Sequence, residues 1–168
     1  RSLLLAHQTP PAMSLGVRES AETAVRAGMR HILFAAPSQE VGSAIDAYLK
    51  SLKPLPSPYL EGGKLSPMAE RGKRVFARAG CADCHPAPLF TDLQRYDVGT
   101  RRAFDKATDV FDTPSLVELW RTAPYLHDGS AVTVRDVVTA RNPRDQHGKT
   151  STLSSQEIDE LCAYLLSF

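Results

Sequence analysis

The sequence predicts an all-α fold with long loops, and three observations predict it. Two capping boxes, Thr133 to Asp136 and Ser154 to Glu157, mark helix starts in the second half of the chain. Ser66-Pro67 marks a third, because proline at the first helical position has its φ already set and lacks only an N–H that would stay unpaired there. Ile158, Leu161, Leu165 and Phe168 then form an apolar stripe at helical spacing to the end of the chain.

At 168 residues, 42% hydrophobic and 23% charged, the chain can build one core, or one core and part of a second. The formal net charge of +1 offers no electrostatic footprint for nucleic acid or an anionic membrane. No apolar run is long enough to span a bilayer, and Leu3-Leu4-Leu5 is too short even for a signal-peptide core. Because the chain begins at Arg1, an export signal is expected to have been removed or to lie upstream.

Lys53-Pro54-Leu55-Pro56-Ser57-Pro58 reads as a stiff, extended linker, since each proline fixes its own φ and disfavours helix in the residue before it. This divides the chain into residues 1–53, a linker at 54–65, and residues 66–168. The helix opened by Ser66-Pro67 carries Met68, Gly72, Val75, Phe76 and Ala79 at helical spacing and ends at Cys81. Met68 is expected in the core rather than at a metal. Between Pro86 and Thr113 the periodicity is weak, which predicts loop with short helical pieces. Cys162 sits in an apolar periodic segment and reads as a small core residue.

The chain also repeats itself. Thr9-Pro10-Pro11-Ala12-Met13-Ser14-Leu15-Gly16 parallels Thr122-Ala123-Pro124-Tyr125-Leu126-His127-Asp128-Gly129, and a helical stretch follows each run. Ala47-Tyr48-Leu49-Lys50-Ser51-Leu52 parallels Ala163-Tyr164-Leu165-Leu166-Ser167-Phe168 in the same order.

Residues 81 to 85 read Cys81-Ala82-Asp83-Cys84-His85, the C-x-x-C-H attachment signature of a c-type haem. Two intervening residues let one turn of chain offer both thiols to the two vinyl groups, and the adjoining His85 binds the iron. A redox dithiol would need a helix running on from the motif, which Pro86 and Pro88 forbid. A zinc knuckle would need four ligands at matched spacings, and Cys162 stands alone. A plain disulfide would not call for His85. The haem motif lies some forty residues before the matched loop of the second copy, and its counterpart would fall before Arg1. Residues 1–53 are therefore expected to be the tail of another haem domain.

Phe111-Asp112-Thr113-Pro114-Ser115-Leu116, with Thr122-Ala123-Pro124-Tyr125-Leu126-His127-Asp128-Gly129-Ser130, resembles the C-terminal domain of bacterial dihaem cytochrome c peroxidases and MauG-like enzymes. The resemblance covers roughly residues 60 to 168, and is nearer still to members fused behind β-propeller repeats. It implies a cytochrome c-like fold, a periplasmic or otherwise extracytoplasmic bacterial location, and a second haem domain upstream. It also implies an electron-donating cytochrome or cupredoxin. Family members bind calcium between their two domains through backbone carbonyls at the positions of Thr122 and Pro124, so these are candidate calcium ligands.

The family's sixth iron ligand is a methionine or tyrosine after the helix that follows H-D-G. Here that region reads Ala140-Arg141-Asn142-Pro143, and no methionine follows Met68. Three readings stay open for the distal face: His147 in the loop 142–152, His127 as a rival or as a contact to a haem propionate, or an open position. His31 could serve a haem of the first domain, in the region where a distal glutamate would otherwise be sought. Trp120 and Tyr125 could relay electrons or simply pack on the haem edge. Two histidine ligands would favour electron transfer, whereas an open position would admit peroxide. The expected function is a haem c electron-transfer domain of a peroxidase-like oxidoreductase. The alternatives are a non-catalytic electron carrier and a zinc- or disulfide-stapled interaction module.

Overall fold

Ser38, Ser66, Thr133 and Ser154 each turn their hydroxyl back onto a helix's first free N–H groups, and these caps set the frame of the computed structural model, which describes residues 2–168. Arg1, the start of the expected first segment, lies outside the described residues. The helices are α1 (Ala21–His31), α2 (Gln39–Ser51), α3 (Pro67–Arg78), α4 (Cys81–Cys84), α5 (Val134–Val138) and α6 (Ser155–Leu166). Both expected capping boxes are present, with Asp136 and Glu157 each reaching back to the cap backbone.

The core lies where α3 crosses α6. Ala69, Val75 and Phe76 from α3 meet Ile158, Leu161, Tyr164 and Leu165 from α6, with Val134 and Val138 of α5 closing one side. The crossing is close because Gly72 has no side chain: a Cβ there would sit 1.8 Å from the backbone oxygen of Glu160. Arg71 pairs with Glu160 at 2.5 Å beside that contact, and Arg78 pairs with Glu157. Phe76 meets the Tyr164 ring edge-on at 5.4 Å, and Phe168 stacks on Phe90 at 4.0 Å.

Two sequence expectations are corrected. Met68 is 41% exposed rather than core, because the buried stripe of α3 runs Ala69, Gly72, Val75, Phe76 and on to Ala79. Between Pro86 and Thr113 there is no helix; instead β1 (Arg95–Tyr96) pairs antiparallel with β2 (Phe111–Asp112). Cys162 packs against the core half-buried, as a small apolar residue would.

The two repeated loops have the same backbone course. Ala12 bridges Arg18 as Tyr125 bridges Ala131, and Met13 and Gly16 take positive φ as Leu126 and Gly129 do. The first loop touches the second half directly: the Asp112 N–H donates to Ser14 O at 2.8 Å, and Arg95 donates to Leu15 O at 3.2 Å. The Pro-rich stretch between the halves is extended and pinned at two points. Leu55 N–H donates to Glu118 Oε1 at 2.6 Å, and Ser57 Oγ donates to Leu166 O at 2.6 Å. Glu118 is itself buried and held by Arg121 through Nε at 2.7 Å.

Candidate metal centre

α3 delivers the chain to the motif, and Gly80 at φ +77° makes the turn that starts α4. Cys81 and Cys84 stand three apart on this single turn and therefore share a face; both are free thiols. Burial pushes the Cys81 thiol up to about 11 and raises Cys84 as well, so both remain S–H at neutral pH. A reactive dithiol needs the thiolate. Among the described residues no group of three or more His, Cys, Asp or Glu side chains could hold a metal ion, which leaves zinc without a ligand set.

His85 caps α4 and is buried. Its Nδ1 lies 2.8 Å from Phe90 O; a carbonyl only accepts, so Nδ1 carries the proton and Nε2 keeps a free lone pair. Burial lowers the pKa of His85 against the opposing pull of the Phe90 carbonyl, Asp92 and the Pro114 carbonyl. The loop that supplies Phe90 is braced by the Phe111–Leu116 run: Ser115 Oγ donates to Leu89 O and Thr91 Oγ1 to Thr113 O, each at 2.7 Å. Asp92 N–H closes the loop on Cys84 O at 2.9 Å.

Facing His85 is His147, with ring centres 6.3 Å apart and planes tilted by 46°. The His147 ring makes no hydrogen bond among the described residues. Burial and the neighbouring His85 hold it down at about 4, so it is neutral, with a lone pair to give, at ordinary pH. Two imidazoles sharing one metal set their ring centres about 6.4 Å apart, from two metal–nitrogen bonds of about 2 Å and about 1.2 Å from each nitrogen to its ring centre. The observed separation fits a single iron between them.

Asn142 builds the loop that holds His147, and sequence reasoning missed it. Its buried amide donates to His147 O at 3.1 Å, Gly148 O at 2.8 Å and Thr150 Oγ1 at 2.8 Å, and its Oδ1 accepts the His147 N–H at 2.9 Å. Asp145 ties the far side through the N–H groups of Thr150 and Ser151, each at 2.9 Å. Lys149 N–H then donates to Ala79 O at 2.9 Å, and Gly148 lies against Cys81 Sγ. The loop is thus laced to the end of α3, beside the thiols. In sequence Asn142-Pro143 looks like an ordinary surface turn.

The remaining sequence candidates lie elsewhere. His127 is committed on both nitrogens, with Nε2 on Asp105 at 2.9 Å and Nδ1 on Thr100 Oγ1 at 3.3 Å, and its ring stacks on Phe111 at 3.7 Å. That arrangement leaves it no lone pair for iron and no free N–H for a propionate. Thr122 and Pro124 lead into the same loop, and their carbonyls accept no hydrogen bond among the described residues. Tyr125 donates to Leu119 O at 3.0 Å, while the buried Trp120 indole N–H finds no partner among the described residues. His31 is exposed at the end of α1.

A helix, a C-x-x-C-H turn and a returning C-terminal helix packed on the first define a c-type cytochrome domain. The family model for cytochrome c matches residues 69–168, and the chain belongs to that family. Its cofactor class is accordingly covalently bound haem c. The chain is 30% identical over 166 residues to the hydrazine synthase subunit gamma of Kuenenia stuttgartiensis, covering 73% of this chain and 47% of that protein. The solved Kuenenia stuttgartiensis hydrazine synthase matches with a TM-score of 0.88 at 23% identity, over 100% of this chain and 71% of that one. The cytochrome-c peroxidase IdrP1 of Denitromonas iodatirespirans is 27% identical over 150 residues, covering 60% of this chain and 40% of the peroxidase. A MauG-like protein associated with microbial copper homeostasis matches in fold with a TM-score of 0.76 at 17% identity, over 99% of this chain and 72% of that one. The chain spans about half the length of the curated relatives it matches or less. It is a haem domain of the cytochrome c family with relatives named for cytochrome-c peroxidase and hydrazine synthase, and no helix of the described residues is long and apolar enough to cross a membrane.

Proposed function

We propose that this chain is the electron-relay half of a dihaem peroxidase-like oxidoreductase, in which Cys81 and Cys84 would hold one haem c and His85 and His147 would bind its iron. The observation that carries the reading is the 6.3 Å separation of the two imidazoles, each with a free lone pair. When bound, haem c supplies reversible one-electron chemistry at the iron. The residues of the chain do the rest. Phe90 O fixes the His85 ring and raises its basicity, and Asn142 fixes the loop that holds His147, so that two histidines would occupy the iron and peroxide would find no open position.

The relatives' names span hydrazine synthase, cytochrome-c peroxidase and MauG-like proteins, so what they share is the haem domain rather than one substrate. Peroxide reduction, or oxidation of a protein partner, would belong to a second haem. Residues 1–53 are read as the last part of that haem's domain, an assignment supported by the loop geometry common to both halves. The free carbonyls of Thr122 and Pro124 suit calcium, which takes six to eight oxygens and would draw the others from that domain. An extracytoplasmic site of action and an electron-donating cytochrome or cupredoxin follow from the same reading. A lone electron carrier is the second reading, favoured by the same closed iron.

Mixing the oxidised protein with hydrogen peroxide tests this. A closed relay leaves the haem spectrum unchanged over minutes while a small reduced cytochrome still reduces it rapidly. A fast spectral change with peroxide would make this haem itself the reaction site.

A further inference from the structure

The loop that carries His147 also forms one wall of a cavity of about 260 Å³, lined by Arg141, Asn142, Arg144 and Gln146 and faced by Val98 and Gly99. Both walls are fixed. Gly99 has φ +73° and donates its N–H to Asp97 Oδ1 at 3.0 Å, and Asp97 is held in turn by Arg101 at 2.6 Å. A Cβ at Gly99 would sit 2.4 Å from Gln146 Oε1, so glycine is what lets the two walls approach each other. Asn142 holds the other wall through its bonds to His147, Gly148 and Thr150.

Charge sets this cavity apart. Arg101, Arg102 and Arg135 each find a carboxylate, at Asp97, Asp128 and Asp159, whereas Arg141 and Arg144 have none within ion-pair distance among the described residues. The acids at hand are already engaged. Asp145, the one acid between residues 141 and 152, accepts from the N–H groups of Thr150 and Ser151 and from the Ser151 hydroxyl. Asp136, whose charge Arg141 does feel, takes the Thr133 N–H and hydroxyl, each at 2.8 Å. Two arginines that line one cavity with no acid to share offer a set of N–H donors matched to a single oxyanion. The volume takes one carboxylate or phosphate with a few waters, each water's share being about 30 Å³.

We propose that this cavity is an anion site, in which Arg141 and Arg144 hold one carboxylate or phosphate-like oxyanion. One source of that group is the chain's own haem c, which carries propionates on its edge. His127 gives them no partner, because its nitrogens are committed to Asp105 and Thr100. The other source is a free oxyanion from solution. Either way the bound charge draws Arg141 and Arg144 together across Asn142 and braces the loop of His147. The site does not depend on which side chains bind the iron.

Inorganic phosphate titrated into the haem-loaded chain at low ionic strength, followed by calorimetry, tests this, with resonance Raman spectra of the same samples reading the propionate bending bands. The variants are Arg141→Gln and Arg144→Gln; both side chains are exposed, so the thermal midpoints stay with that of the native chain. If solution supplies the anion, the chain binds one phosphate and each substitution weakens it about tenfold or more. If the haem supplies it, no phosphate binds and the propionate bands shift in both variants. Arg144→Lys keeps the charge but loses the planar fork, and restores only part of either signal. Phosphate binding that neither substitution changes, or no phosphate binding with propionate bands that neither substitution moves, overturns the proposal.

Discussion

Residues 9–52 and residues 122–168 trace the same loop, helix and helix, yet only the second set encloses a core. α1 runs for 11 residues where α5 has 5. The reason is local: Val137, Val138 and Thr139 are β-branched, and Pro143 both lacks an N–H and disfavours helix at Asn142, whereas α1 meets no proline before Pro37. The early end of α5 frees Asn142 to organise the His147 loop. In the first half Arg26 instead ties α1 to α2 through Asp46 at 2.7 and 2.6 Å. A short helix and a buried amide shape the His147 loop; a long helix and a bidentate ion pair hold a hairpin with its apolar side open.

The sharpest way to break this comparison is to truncate the matched tyrosines. Tyr164→Ala should cost about 3–5 kcal/mol, as aromatic deletions in packed cores do, while Tyr48→Ala should cost under about 0.5 kcal/mol. Urea unfolding of the two variants measures this, and similar losses would mean that the first half has a covered face after all. Glycines give the next contrast. A Cβ at Gly72 collides with Glu160 backbone, so Gly72→Ala should destabilise by about 1–3 kcal/mol or more. Among the described residues nothing beyond its own helix lies within 4 Å of a Cβ at Gly28, and Gly28→Ala should stabilise by about 0.5–1 kcal/mol through helix propensity, read as opposite shifts in thermal midpoint.

Asn142→Ala tests the ligand loop. Stranding its buried partners should cost about 1–3 kcal/mol and loosen His147, so that a fraction of the iron turns high-spin. A fully low-spin variant of unchanged stability would remove Asn142 from the account. The smallest effect concerns acid. Burial pushes Asp128 up, but hydrogen bonds from Arg102 and Ser130 outweigh it and hold the carboxyl at about 2. Its folded pKa is thus below its unfolded one, so the stabilisation is complete above about pH 4 and is lost as pH falls towards about 2. With Arg102 partly solvated, about 1–2 kcal/mol is at stake. Asp128→Asn should flatten that part of the acid unfolding curve. The first-half counterpart, Leu15, has nothing to titrate there.

Much of this was legible in the sequence because it rests on local rules. The caps at Ser66, Thr133 and Ser154, the terminal stripe, and the parallel of Thr9–Gly16 with Thr122–Gly129 each depend on neighbours a few residues away. Met68 was misplaced because spacing alone cannot say which of two adjacent helical stripes faces inward. The β1–β2 ribbon was missed because strands of two residues carry no periodicity. The engagement of His127 by Asp105 spans 22 positions of patternless loop, and the four bonds of Asn142 form only once that loop has closed. Sequence could nominate both histidines as distal candidates, but only the fold separates a ring with two occupied nitrogens from one that faces His85 at 6.3 Å.

The central claim is that His85 and His147 close one iron between them, and paramagnetic resonance of the oxidised haem-loaded chain beside its His147→Ala variant tests it most directly. The account predicts a low-spin signal in the native chain and a high-spin one in the variant. A native signal that is already high-spin, or a variant that stays low-spin, would contradict it.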